Sequence, residues 1–252
     1  MKTINVRTLN IGSGMPKICV PIVGETSENI VNAARQIVDM SVDLVEWRVD
    51  YFQAAKQAEA VIMVAEKLRE VLGDMPILFT FRTKNEGGEK AIEYEQYAEL
   101  LCRIADAKLV DMIDVEVFLH EQSSELISTL QNKGIRVVGS NHDFDKTPPK
   151  EEIVRRLCCM QEKGVDIPKI AVMPQNSKDV LVLLDATAEM AEKHADRPIV
   201  TMSMSAIGTI SRIAGETFGS AITFGCMGKA SAPGQVQVED LRKALQILNG
   251  AR

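Results

Sequence analysis

DIPKIAVMP, Asp166–Pro174, decides how the chain is read. Ile167, Ile170, Val172 and Met173 make an apolar run of strand length bounded by Gly164 and Pro174, and Lys169 falls inside it, where a charge is costly. Such a lysine either reaches out of the core along its own methylenes, or is held in a dry pocket where its pKa falls and the neutral amine becomes a nucleophile. The rest of the chain decides between the two.

Outward from this run, strand and helix patterns alternate. Before it come strands at Lys17–Val23, Leu44–Val49, Pro76–Arg82, Val110–Val117 and Ile135–His142. The intervening helices are expected at Glu28–Met40, Ala54–Val71, Ala91–Asp106, Glu121–Lys133 and Lys150–Lys163. After it come helix Lys178–His194, strand Pro198–Met204 with a shorter helical piece, strand Ala221–Gly225 and helix Val238–Asn249. Strictly alternating units imply a parallel sheet with right-handed crossovers. Eight strand signals in 252 residues point to a closed (β/α)8 barrel rather than an open doubly wound sheet. The open sheet normally carries a GxGxxG fingerprint after its first strand, and PIVGETSEN has none. No linker divides the chain, so residues 1–252 read as one domain.

Hydrophobic residues, at 46%, can fill a large core. Twenty-nine basic against thirty-five acidic residues, with no basic tail, argue against nucleic acid or an anionic membrane as partner. No apolar run approaches the ~18 residues of a membrane span, and MKTINVRTLN lacks the apolar core of a signal peptide, so a cytoplasmic setting is expected. The five cysteines are scattered with no CxxC, which indicates neither a disulfide framework nor a zinc site.

In a barrel, catalytic groups gather at the C-terminal ends of the strands. The second strand ends in Glu46, Arg48 and Asp50 on one face; the third ends at Arg82, with Glu86 in the loop NEGGEK. Asp114 and Glu116 share a face on the fourth, Ser140 and His142 on the fifth, and Lys169 lies on the sixth. Each has a plainer reading: Glu46 with Arg48 as a structural ion pair, Asp114 and Glu116 in the same network, His142 as a capped strand end, Met202 and Met204 as core filling. The tail GCMGKASAPGQ (Gly225–Gln235) is not a P-loop, because position 223 is threonine and position 230 alanine. Its small residues suit a flap tipped by Ser231 and Gln235, or an ordinary surface loop.

A lysine amine condenses with a ketone, and the cationic imine acidifies a neighbouring C–H for an imidazole to deprotonate. Arg48, Arg82 and Arg212 suit a carboxylated substrate. No local motif demands a metal.

EWRVD, LFTFR followed by EGGE, MIDVE, SNHDF with KTP just after, IPKIAVMPQ, TMSM, ISR and SAPGQ occur in this order from Lys17 to the last helix. In this the chain resembles the type I 3-dehydroquinate dehydratases, the Schiff-base dehydratases of the shikimate route. The resemblance implies a (β/α)8 barrel whose bottom is closed by a short N-terminal hairpin (1–15), a homodimer, and no cofactor or metal. It implies that Lys169 forms an imine with the C3 ketone of 3-dehydroquinate. His142 would abstract the C2 proton and then protonate the departing C1 hydroxyl, a syn elimination, with Glu86 holding His142. Glu46 and Arg82 would bind ring hydroxyls, while Arg212, Gln235 and Ser231 would take the carboxylate side; Arg48 lies in a matched motif. Met202, Met204 and Phe224 would form an apolar wall. Where some relatives end the first strand in serine, this chain has Pro21. Competing readings are an aldolase-type imine barrel, a magnesium-dependent enolisation barrel with Glu46, Asp114 and Glu116 as ligands, and a non-catalytic binder of sugar acids.

Overall fold

Alternation of side chains along the central strands sorts them into two apolar compartments. Around Lys169, Ile170 and Val172 pack outward with the helices, while Ile167 and Ala171 pack inward. The computed structural model describes residues 3–228 and 234–251. A hairpin of β1 (Ile4–Val6) and β2 (Leu9–Ile11) precedes the parallel strands β3 (Lys17–Ile22), β4 (Leu44–Arg48), β5 (Ile77–Thr80), β6 (Met112–Glu116) and β7 (Arg136–Asp143). These are followed by β8 (Ile167–Val172), β9 (Val200–Ser203) and β10 (Ile222–Cys226), and β10 pairs back onto β3. The outer layer comprises α1 (Ser27–Val38), α2 (Ala58–Leu72), α3 (Tyr94–Ala107), α4 (Ser123–Asn132), α5 (Lys150–Glu162) and α6 (Ser177–Glu189). Two short helices, α7 (Ile210–Ile213) and α8 (Gly215–Phe218), follow β9, and α9 (Val238–Gly250) ends the chain. No helix among the described residues is long and apolar enough to cross a membrane.

The helices form where an apolar stripe meets a capped start. Thr26 accepts the Asn29 N–H at the head of α1, which buries Ile30, Val31, Ala34 and Ile37; Asn176 accepts the N–H groups of Lys178 and Asp179 at the head of α6. Several helices start later than the apolar pattern suggested. Residues 52–57 form turns, with Ala55 N–H to the Phe52 carbonyl and Gln57 N–H to that of Ala54, so α2 begins at Ala58 rather than Ala54. A two-residue strand, β11 (Val236–Gln237), was not foreseen; it extends the sheet beyond β10.

The lower half of the barrel interior is apolar. Leu44, Leu78, Met112, Val138, Ile167 and Ile222 pack together, and Val6 and Ile11 of the hairpin close the cluster from below. Closure between β9 and β10 is narrow. Ile199 and Ser220 form a single parallel bridge, Ala221 N–H reaches the Ile199 carbonyl at 2.8 Å, and Thr201 N–H reaches Ser220 Oγ at 3.0 Å. Above that point α7 wedges between the two strands: the Ser203 backbone N–H donates to Ser211 Oγ, and the Thr223 hydroxyl donates to the Arg212 carbonyl. This wedge carries Arg212 into the upper end of the barrel.

Candidate active site

The upper end holds a cavity of about 220 Å3. Of the residues singled out from sequence, Glu46, Arg48, Arg82, Glu86, His142, Lys169, Met202, Met204, Arg212, Phe224 and Gln235 all line it. Ser231, with residues 229–233 of the flap read at 225–235, lies outside the described residues. The cavity is also lined by Gly87, Phe144 and Ala171, which sequence reasoning did not select. Phe144 had a signal, since it closes the SNHDF motif beside His142; Ala171 had none.

Lys169 is buried, 4% exposed, so it does not reach out to solvent. Of the two readings offered for Lys169, burial in a pocket is the one its position matches, and the amine has close neighbours there. Its Nζ lies 3.5 Å from Glu46 Oε1 and 3.5 Å from Asp114 Oδ2, and 4.6 Å from the centre of the Phe224 ring. Two carboxylates and a ring face are surroundings that suit a positive charge. Glu46 in turn accepts from Thr80 Oγ1 at 3.0 Å.

The proposed Glu46–Arg48 pair is replaced by another: Arg48 binds Asp50 bidentately, Nε and Nη2 each at 2.8 Å. Asp50 also accepts from Glu89 N–H at 3.2 Å, fastening the loop that carries Glu86. Arg82 is equally committed. It donates to Asp114 (2.8 Å), Glu116 (2.9 Å) and Ser140 Oγ (2.9 Å), and lies 3.5 Å from Glu86. Burial alone would lower the Arg82 guanidinium, but Asp114, Glu116, Glu86 and Glu46 outweigh it and hold it well above its ordinary value. Arg48 and Arg82 both line the cavity, as expected of residues that meet a substrate, and each is held there by ion pairs to the protein's own carboxylates. Asp114 and Glu116 do join one network, as the plainer reading had it. Among the described residues no group of three or more carboxylate, histidine or cysteine side chains is arranged to hold a metal ion.

Glu116 pins the loop after β5 as well, accepting the Thr83 N–H at 2.8 Å and its hydroxyl at 2.7 Å. The loop can turn back so sharply because a Cβ at Gly88 would fall 1.9 Å from the Arg82 carbonyl oxygen; only glycine fits. The turn delivers Glu86 to His142, whose Nδ1 is 2.9 Å and whose backbone N–H is 3.0 Å from Glu86 Oε2. Burial pushes the Glu86 carboxyl upward while Arg82 and the Asn141 amide pull it down, and both its oxygens are met by N–H donors, Asn141 Nδ2 at Oε1 and the His142 backbone at Oε2, the geometry of a carboxylate. Burial, followed by the charges of Arg82, Lys169 and Arg48, pushes His142 well below its ordinary value, so its imidazole is neutral at pH 7. In the β7–β8 register Ser140 pairs with Lys169 and His142 with Ala171. The imidazole thus stands one interior layer above the amine, on the neighbouring strand.

The opposite flank is apolar. Met202, Met204 and Phe224 are buried, and Arg212 lines the cavity beside them with Nη1 3.4 Å from the Phe224 carbonyl. Burial lowers the Arg212 guanidinium to about 10. Pro21 of β3 pairs with Glu46 in register and offers no side-chain donor there.

The sequence profile of the type I 3-dehydroquinases matches residues 18–252. The chain is 50% identical over 249 residues to the 3-dehydroquinate dehydratase of Clostridioides difficile strain 630, covering 98% of each. It is 52% identical over 252 residues to that of Salmonella typhimurium strain LT2, covering 100% of each. Among solved structures it is similar to the type I 3-dehydroquinate dehydratase of Clostridium difficile with covalently modified comenic acid. The TM-score there is 0.97 at 50% identity, covering 100% of this chain and 99% of that one. For the 3-dehydroquinate dehydratase of Geobacillus kaustophilus HTA426 the TM-score is 0.96 at 38% identity, covering 99% and 97%. With a barrel that superimposes on theirs and a sequence that matches along nearly its whole length, this chain belongs to the type I 3-dehydroquinase family.

Proposed function

We propose that this protein is a hydro-lyase that dehydrates 3-dehydroquinate to 3-dehydroshikimate through an imine on Lys169, with His142 as the proton-transfer group. What supports this most, beside the family, is a buried lysine amine sharing one small cavity with a neutral histidine that a carboxylate holds by Nδ1. The ketone carbon at C3 takes the lysine nitrogen and its oxygen leaves as water, giving a cationic imine. That cation draws electrons from the C2–H bond, and Nε2 of His142 takes the proton. The enamine then expels the C1 hydroxyl, which leaves as water with the proton that His142 carries. Hydrolysis of the product imine frees Lys169. Glu46 and Asp114 are the carboxylates nearest to Nζ and stand ready to exchange protons with the groups that form on it.

Glu46 and Arg82 are taken as ring-hydroxyl contacts, Arg48 as a support through Asp50, and Arg212 with Gln235 and Ser231 as the carboxylate side. Met202, Met204 and Phe224 keep water from the imine. The same reading carries one domain over residues 1–252, a homodimer and a cytoplasmic setting. Exposed Leu181, Ile207 and Ile247 offer apolar surface for a second copy, and sedimentation equilibrium at twice the chain mass is the expected result. The decisive experiment is borohydride reduction with 3-dehydroquinate present. Irreversible inactivation with the ligand mass on a peptide containing Lys169 is expected, together with growth of enone absorbance before reduction. A protein that stays active and unmodified would remove the imine reading, and an aldolase-type barrel would cleave the substrate rather than dehydrate it.

A further inference from the structure

Asn141 lies between Ser140, buried against Asp114 and Arg82 in the barrel interior, and His142, which lines the cavity, and its own side chain points toward α5. There it is held at both ends. Arg156 Nη1 donates to Asn141 Oδ1 at 2.9 Å, and Asn141 Nδ2 donates to Glu86 Oε1 at 3.1 Å. Because a guanidinium can only donate, the atom facing Arg156 is the amide oxygen, so the NH2 faces Glu86. Arg156 is itself fixed by Glu152, which accepts its Nε at 2.7 Å and grips Arg155 with both oxygens. The other oxygen of Glu86 accepts the His142 backbone N–H, which likewise can only donate.

We propose that Asn141, oriented by Arg156, is a positioning residue that keeps Glu86 an acceptor at both oxygens and so selects the His142 tautomer able to act as a base. With both Glu86 oxygens met by obligatory donors, the proton shared with His142 rests on Nδ1, and Nε2 is left bare toward the cavity. A protonated Glu86 would instead donate to Nδ1. That would leave the hydrogen on Nε2, where no substrate proton could be accepted. Of the charges facing this pair, Arg82 favours the Glu86 carboxylate and Glu116 and Asp114 of β6 oppose it, while Arg82, Lys169 and Arg48 disfavour an imidazolium at His142. Asp143 lies 3.9 Å from Arg156 on the outer side. Removing the Asn141 donor shifts that balance toward the protonated carboxyl, so activity should need a higher pH.

The inference rests on His142 being the base, and the test separates the two. The pH dependence of kcat is compared for wild type, Asn141→Ala, Arg156→Gln and His142→Ala, with borohydride trapping of the imine alongside. For Asn141→Ala the acid limb should move up by about one pH unit, the size expected for one hydrogen bond to a charged group. At neutral pH kcat should fall about tenfold with KM within about twofold, and the trapped imine should match wild type. Arg156→Gln, which touches no substrate, should move the same limb the same way by less. Loss of thermal stability with superimposable pH profiles would overturn the proposal, and if Asn141→Ala fails to fold, an unmoved limb in Arg156→Gln does so. Near-full activity of His142→Ala, or no trapping by wild type, would instead remove the underlying assignment of the base.

Discussion

The two flanks of the cavity are made of opposite materials. From β4 to β7 it is lined by Glu46, Arg48, Arg82 and Glu86, each paired within the protein; across from them stand Met202, Met204 and Phe224. Lys169 stands on the boundary, with carboxylates at 3.5 Å on one side and an aromatic face at 4.6 Å on the other. The charged flank spends the desolvation of its groups on fixed geometry. The apolar flank excludes water, and its ring face attracts whatever cation forms on the lysine nitrogen. A reaction that passes from amine to cationic imine and back uses both.

That contrast can be broken in order of severity. Lys169→Ala removes the boundary residue, and turnover and borohydride trapping should both disappear while the circular dichroism spectrum is kept; retained turnover would refute covalent catalysis. His142→Ala leaves the amine, so the imine should still be trapped while kcat falls by about 10²–10⁴, the usual loss for a general base. Asp114→Ala strikes the charged flank beneath the cavity and takes one carboxylate from both Arg82 and Lys169, leaving them Glu116 and Glu46. Urea unfolding should show a loss of about 3–5 kcal/mol, the cost of breaking a buried pair from one side; a loss below about 1 kcal/mol would mean that water reaches this network. Phe224→Leu sharpens the comparison most finely, because it keeps an apolar wall but deletes the ring face. A cation–π contact of about 0.5–2 kcal/mol corresponds to a roughly 2- to 30-fold drop in imine formation by rapid-quench trapping. No drop would assign that flank to water exclusion alone.

Much of this was legible in the chain. The strand at 167–172 and its seven companions could be read because each carries an apolar run bounded by turn residues, and their even spacing left little but a closed barrel. The cavity residues could be collected because strand ends in such a barrel converge on one mouth. The pairings could not. Arg48 takes Asp50 rather than Glu46, and Arg82 takes Asp114, Glu116 and Ser140, choices that depend on strand stagger and on the bend at Gly88. Helix starts were read too early at 54–57 because buried Phe52 and Ala55 in a turn look like the beginning of an amphipathic stripe.

Local order and membership of the mouth were thus written in the one-dimensional pattern, since burial imposes a period on apolar residues and barrel geometry sends alternate side chains inward. Only the folded chain decided which charge meets which. An ion pair or a hydrogen bond is settled by angstroms between residues as far apart in sequence as Arg82 and Ser140, and no spacing along the chain encodes that distance. The environment of Lys169 is the clearest case: its position in the strand foretold burial, but its two carboxylates and its aromatic neighbour come from β4, β6 and β10, brought together by closure of the barrel.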